Sequence, residues 1–160
     1  MEDEINLEII FIFWKKPKIL NILFNGCNKL TSIDLSGFSF VNIIDISSMF
    51  SDCSALENLI LPQNEMAINI QDFSYMFKGC LKLTEIDLSN TDFANVKKLS
   101  YMFYECKSLT SINFYTSVKA TRIENIQGMF ILCEKLINMD LSVDHSAELW
   151  ILEEKLQKMH

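Results

Sequence analysis

Arginine is almost missing from this chain. Of 14 basic residues among 160, only Arg122 is an arginine, and 21 acidic residues leave a net charge of −7. That balance lacks the basic footprint of a nucleic-acid binder or a polybasic membrane-surface protein, so no nucleic acid is expected as partner. Glycine (4) and proline (2) are scarce as well, which argues against the many tight turns of a sandwich or hairpin barrel. Long apolar runs are also lacking. The unbroken stretch Ile9–Trp14 is six residues, against about 20 for a membrane-spanning helix, so no membrane insertion is expected. Acids precede that stretch and Lys15, Lys16 and Lys18 follow it. This is the reverse of a secretory signal, so no signal peptide is expected here and the segment reads as a buried strand. There is no Gly-rich phosphate loop, no His-Glu-x-x-His and no nucleophile elbow, and histidine occurs only at 145 and 160. No catalytic residue, metal site or cofactor is expected.

What is present is apolar and regular. Hydrophobic residues make up 49% and charged residues 22%, a globular composition at the length of one domain, 1–160. The five cysteines, an odd number that cannot close entirely into internal disulfides, stand at 27, 53, 80, 106 and 133. Their separations are 26, 27, 26 and 27 residues, and their neighbours repeat with them. Three residues before Cys27, Cys53, Cys80, Cys106 and Cys133 stand Phe24, Phe50, Phe77, Phe103 and Phe130. Leu23, Met49, Met76, Met102 and Met129 come immediately before these. Three residues after each cysteine is a leucine, followed at +6 by Ile33, Leu59, Ile86, Ile112 and Met139 and at +8 by Leu35, Leu61, Leu88, Phe114 and Leu141. The unit is Met-Phe-x-x-Cys-x-x-Leu-x-x-Ile-x-Leu, and a fixed period of this length marks a solenoid. Stepping back 26 residues from Ile33 and Leu35 reaches Leu7 and Ile9. Residues 1–23 therefore read as a degenerate first coil and 24–142 as five repeats.

The end of each unit alternates with period two, which is strand patterning, and stacking at constant spacing predicts parallel pairing of each strand with the next. The Phe-x-x-Cys-x-x-Leu spacing of three predicts a short helical turn with one face inward. The segment from Ile43 to Ile46 and its equivalents predicts a second extended side. Residues 146–160 place Leu149, Leu152, Leu156 and Met159 on one helical face behind a Ser146 N-cap, which suits a C-terminal capping helix. The expected class is α/β: a solenoid with a parallel sheet of stacked coils, short helical turns on the other side and a capping helix.

The cysteine and phenylalanine columns predict a core ladder of small buried thiols and rings. Disulfides between adjacent rungs, a metal site or a cysteine nucleophile are the functional alternatives. Side chains pointing the same way suit bonding poorly, and no histidine falls in the column. The outward strand positions form a polar, mildly acidic face of short side chains. Asp34, Asn58, Glu57, Glu85, Asp87, Asn113, Asn138 and Asp140 are its candidate partner-binding residues. Asp34 and Asp87 lie two rungs apart, about 10 Å, too far to share a calcium ion.

The repeat resembles the BspA-like subtype of leucine-rich repeats from bacterial and protist surface proteins. Ser47-Ser48-Met49-Phe50-Ser51-Asp52-Cys53, Ser74-Tyr75-Met76-Phe77-Lys78-Gly79-Cys80 and Ser100-Tyr101-Met102-Phe103-Tyr104-Glu105-Cys106 carry the likeness, with Ile33-Asp34-Leu35-Ser36 and Ile86-Asp87-Leu88-Ser89. The resemblance covers about residues 20–142. It implies a leucine-rich-repeat fold, a protein partner, an adhesion-type context and a cell-surface or secreted location. Neither the signal nor the anchor of the family's full-length members is expected in this sequence, a departure from that family's pattern. The expected function is a non-enzymatic protein-interaction module binding through the strand face. A structural repeat subunit or fragment that stacks on another chain through an uncapped first coil is the alternative, and a cysteine-dependent enzyme the third reading.

Overall fold

The computed structural model describes residues 17–62, 69–114 and 122–140. The degenerate first coil, apart from residues 17–23, and the capping helix at 146–160 lie outside them.

The five repeats become five coils, each contributing one three-residue strand: β1 (Ser32–Asp34), β2 (Asn58–Ile60), β3 (Glu85–Asp87), β4 (Ser111–Asn113) and β5 (Asn138–Asp140). Pairing is parallel and in register with the repeat, Ile33 opposite Leu59, Ile86 opposite Ile112 and Ile112 opposite Met139. The expected continuous sheet is nevertheless divided. β1 and β2 form one sheet, β3, β4 and β5 another, and β2 does not pair with β3. The second coil ends its strand differently from its neighbours. Asp34 Oδ1 accepts the Ser36 amide at 2.8 Å and Asp87 Oδ1 accepts the Ser89 amide at 2.8 Å, closing an Asx turn after β1 and β3. The second coil has Ile60 in place of the aspartate and Pro62 in place of the serine, so it offers neither the carboxylate nor the N–H.

A second side runs down the opposite face. Single parallel bridges link Ile19 to Asp45, Asp45 to Asp72, Asp72 to Lys98 and Lys98 to Asn125. This is the expected extended side, reduced to one residue per coil.

Between the two sides lies the Met-Phe-x-x-Cys segment. The expected helical turns are not there: no α- or 3₁₀-helix occurs among the described residues. Instead, the residues two before and two after each phenylalanine adopt left-handed conformations: Ile22 and Gly26, Ser48 and Asp52, Tyr75 and Gly79, Tyr101 and Glu105, Gly128 and Leu132. A left-handed residue at every fourth position stops a helix before it can propagate. It also turns alternate amides outward. In the second coil Ile46, Ser48, Phe50 and Asp52 donate to the carbonyls of Asp72, Ser74, Met76 and Lys78 in the third, while Met49, Ser51 and Cys53 donate within their own turn. The same four-bond ladder joins every described pair of consecutive coils, and its N–H groups all point toward the C-terminal end.

The core fills the space between the two sides. Phe50, Phe77, Phe103, Met49, Met76, Met102, Cys53, Cys80 and Cys106 are fully buried. The rings form one stack: Phe24, Phe50, Phe77, Phe103 and Phe130 sit 5.2–5.9 Å apart between centroids, with planes within 15°. Each coil thereby covers the apolar face of the next, so stability resides in the interfaces between coils.

Candidate functional site

Two columns are the candidates: the thiols inside and the polar strand positions outside.

The thiols are not joined in pairs; all five cysteines are free. Each instead reaches back one coil. Cys53 Sγ donates to the Phe24 carbonyl at 3.0 Å, Cys80 to Phe50 at 3.2 Å, Cys106 to Phe77 at 3.0 Å and Cys133 to Phe103 at 3.0 Å. Burial then penalises ionisation. It pushes the Cys53 thiol up to about 12 and Cys133 to about 11, and raises Cys80 and Cys106 further. A nucleophile needs a lowered pKa and access; these thiols have neither. The column is less uniform than its sequence: Cys27 is exposed and Cys133 and Phe130 are only partly buried, because they belong to the first and last described coils. Among the described residues no three His, Cys, Asp or Glu side chains converge on a metal-sized site.

The strand face is built by alternation. In β1 to β4 the middle residue turns inward, with Ile86 and Ile112 buried, and its neighbours are more exposed. Asp34, Glu57, Asn58, Glu85, Asp87 and Asn113 are all exposed. Asn138 and Asp140 occupy the matching backbone positions of β5, opposite Ser111 and Asn113. The division between β2 and β3 separates Asp34, Glu57 and Asn58 from Glu85, Asp87, Asn113 and the β5 positions. Ile60 and Ile137 interrupt the polar surface as exposed aliphatic residues. Glu57 is engaged by Lys82 Nζ at 2.9 Å. The Ser36 hydroxyl and amide hold the Asp34 carboxyl below the usual range. The face therefore offers carboxylates and amides at a fixed rung spacing.

Features that sequence reasoning missed lie on the turn side. The side chains at left-handed positions lean over the following coil. Asp52 lies over Gly79, where a Cβ would sit 2.5 Å from its Oδ1, and a Cβ at Gly128 would overlap the Tyr101 ring. Tyr75 stacks on Tyr101 at 5.2 Å. On the second side, Asp45, Asp72 and Asn125 accept the amides of Ser47, Ser74 and Gln127 at 2.8–2.9 Å. The recurring Asp-x-Ser at 45–47 and 72–74 was a legible signal of that. Lys98 replaces the acid in its column and pairs with Asp72 at 3.1 Å, and the Asp72 carboxylate raises the lysine's pKa.

Stacked parallel coils with a Phe-Cys core and a polar sheet make the fold a solenoid. It aligns with the crystal structure of a leucine-rich cell surface protein from Faecalibacterium prausnitzii A2-165, with TM-score 0.58 and 19% identity. The alignment covers 84% of this chain and 31% of that one, so the chain spans under a third of that protein's length. Residues 18–143 match the family described as Mycoplasma protein of unknown function, DUF285, and the chain belongs to that family. No curated protein is matched by the sequence.

Proposed function

We propose that the chain is a non-enzymatic protein-interaction module of BspA-like type, acting in adhesion at a cell surface and binding a protein partner through its strand face. The supporting observation is the row Glu85, Asp87 and Asn113, exposed on paired strands above fully buried Leu83, Leu88 and Leu109. A rigid backbone beneath short polar side chains presents hydrogen-bonding groups at little entropic cost on binding, the condition under which extended solenoid surfaces recognise proteins. The raised thiol pKa values of the inner coils oppose the cysteine-enzyme reading. The surface location draws on the printed description of the structural neighbour, a cell surface protein.

The test is capture of cell-surface proteins on the immobilised chain, with Glu85→Lys/Asp87→Lys as comparison. The charge reversal should remove the captured proteins while leaving the melting temperature within a few degrees, since both residues are exposed. Unchanged capture by the double variant would place binding elsewhere.

A further inference from the structure

The ladder between coils is directional, and that has consequences at its two ends. In the last described coil the amides of Ile126, Gly128, Phe130 and Leu132, the next donors in the series, have no acceptor among the described residues. In the first described coil the carbonyls of Ile19, Asn21, Leu23 and Asn25, the preceding acceptors in the series, receive no donor among them. The offsets match those of every internal junction. Leu99, Tyr101, Phe103 and Glu105 donate to Asn125, Gln127, Met129 and Ile131, so Ile126, Gly128, Phe130 and Leu132 are in register with Ile19, Asn21, Leu23 and Asn25.

Side chains fit the same register. Of the left-handed non-glycine positions among the described residues, only Ile22 and Leu132 carry aliphatic residues, one in each of these end coils. Ile22 is 62% exposed and Leu132 45%. A β-branched residue at φ 56 is a strained choice that exposure does not reward. At the junction of the second and third coils the left-handed residue two after the phenylalanine leans on its equivalent, Asp52 on Gly79. The equivalent of Leu132 would be Gly26, above which no atom lies within 4 Å of a Cβ position. Cys27 is exposed and has no preceding phenylalanine carbonyl among the described residues, and the Phe130 carbonyl accepts from no thiol among them.

We propose that a second copy of the chain docks head to tail, the last described coil of one on the first described coil of the next, with Leu132 seated over Gly26. The junction repeats the internal one: four amides meet four carbonyls, and the Cys27 thiol donates to the Phe130 carbonyl of the preceding copy. Such a contact is heterologous, so copies add along one axis rather than closing into a pair. It does not rest on the strand-face reading.

Sedimentation velocity of the full chain across a wide concentration range tests this, with mass-resolved alkylation of Cys27 in the same samples. The expected result is a series of masses beyond the dimer, with Cys27 labelling slowing as concentration rises. Leu132→Asp should weaken association by about tenfold or more by placing a charge in the junction. Gly26→Asn, which keeps a residue tolerant of the left-handed conformation but fills the hollow, should do the same, and it serves if Leu132→Asp does not fold. A monomer at all concentrations with Cys27 freely labelled overturns the proposal. So does a monomer with Cys27 protected at every dilution, which would mean that the chain's own end segments cover the face. Association indifferent to both substitutions overturns it too, since the contact would then lie elsewhere.

Discussion

The thiol of Cys80 donates to the carbonyl oxygen of Phe50 at 3.2 Å, one coil back, and that oxygen also accepts the Cys53 amide at 3.1 Å. The carbonyl thus closes its own turn and ties the next coil to it. Small size and a weak donor are both used here, which neither alanine nor a larger apolar residue reproduces. Cys80→Ala should cost about 1–2 kcal/mol, combining lost packing with the lost hydrogen bond. Cys27→Ala, at an exposed thiol with no carbonyl partner among the described residues of its own chain, should stay within about 0.5 kcal/mol in the monomer. Urea denaturation of the two variants checks the difference; equal losses would show that the thiol bond contributes nothing.

Phe77 lies between two rings, 5.9 Å from Phe50 and 5.4 Å from Phe103, and is fully buried. Phe77→Ala opens a gap in the middle of the stack and should cost about 3–5 kcal/mol. Phe77→Leu should cost less, because it retains most of the volume. Thermal melts followed by circular dichroism separate the two.

Gly128 has φ +66 and lies under the Tyr101 ring. Gly128→Ala should therefore destabilise by two separable causes: the backbone conformation, about 1–2 kcal/mol, and the collision with the ring. Combining it with Tyr101→Ala should remove the second part only. A double-mutant cycle that gives zero coupling would contradict the packing of Tyr101 over Gly128.

The thiols make stability depend on alkaline pH. Their ordinary value is 9.0, and burial raises Cys53 to about 12 and Cys133 to about 11 in the folded chain. Between those limits the folded state holds protons that the unfolded state has released. Stability therefore falls as pH rises above about 9 and is unaffected by these groups below it. Urea midpoints at pH 7, 9 and 10.5 should decline over the upper interval, and Cys53→Ala should lessen the decline, leaving the part due to Cys80, Cys106 and Cys133. A flat profile in the parent chain would contradict the buried thiols.

The period and the inward-facing residues were legible because each is written five times. A phenylalanine, a cysteine and a leucine three residues apart leave one solution once coils must stack, and Phe50, Cys53 and Leu56 are buried together as that solution requires. The left-handed positions were not legible. They carry Ile22, Ser48, Tyr75, Tyr101 and Gly128 in one column and Gly26, Asp52, Gly79, Glu105 and Leu132 in the other, with no shared chemistry. Their conformation is imposed by the amide ladder between coils rather than by the residues themselves, so a helical turn was the natural reading of the same spacing. The division of the sheet was not legible: Ile60 and Pro62 depart from the Asp-x-Ser of the first and third coils, but the fourth coil departs too, with Asn113 and Tyr115, and its strand pairs on both sides.

That division makes a prediction of its own. Glu57 and Asn58 donate to the Thr31 carbonyl, and Thr110 and Ser111 to the Thr84 carbonyl. The corresponding amides at the junction of the second and third coils, Thr84 and Glu85, have no acceptor among the described residues. On the turn side the same two coils are joined by the full ladder from Ile46 to Asp52. Hydrogen exchange should therefore be asymmetric: fast at Thr84 and Glu85, slow at Thr110, and slow at Ser48 and Phe50. Uniform protection of all five amides would mean that the sheet is continuous in solution. Fast exchange on both sides would mean that the coils separate there. The asymmetric pattern would identify this junction as a one-sided hinge, with the three-stranded part of the polar face moving as a unit.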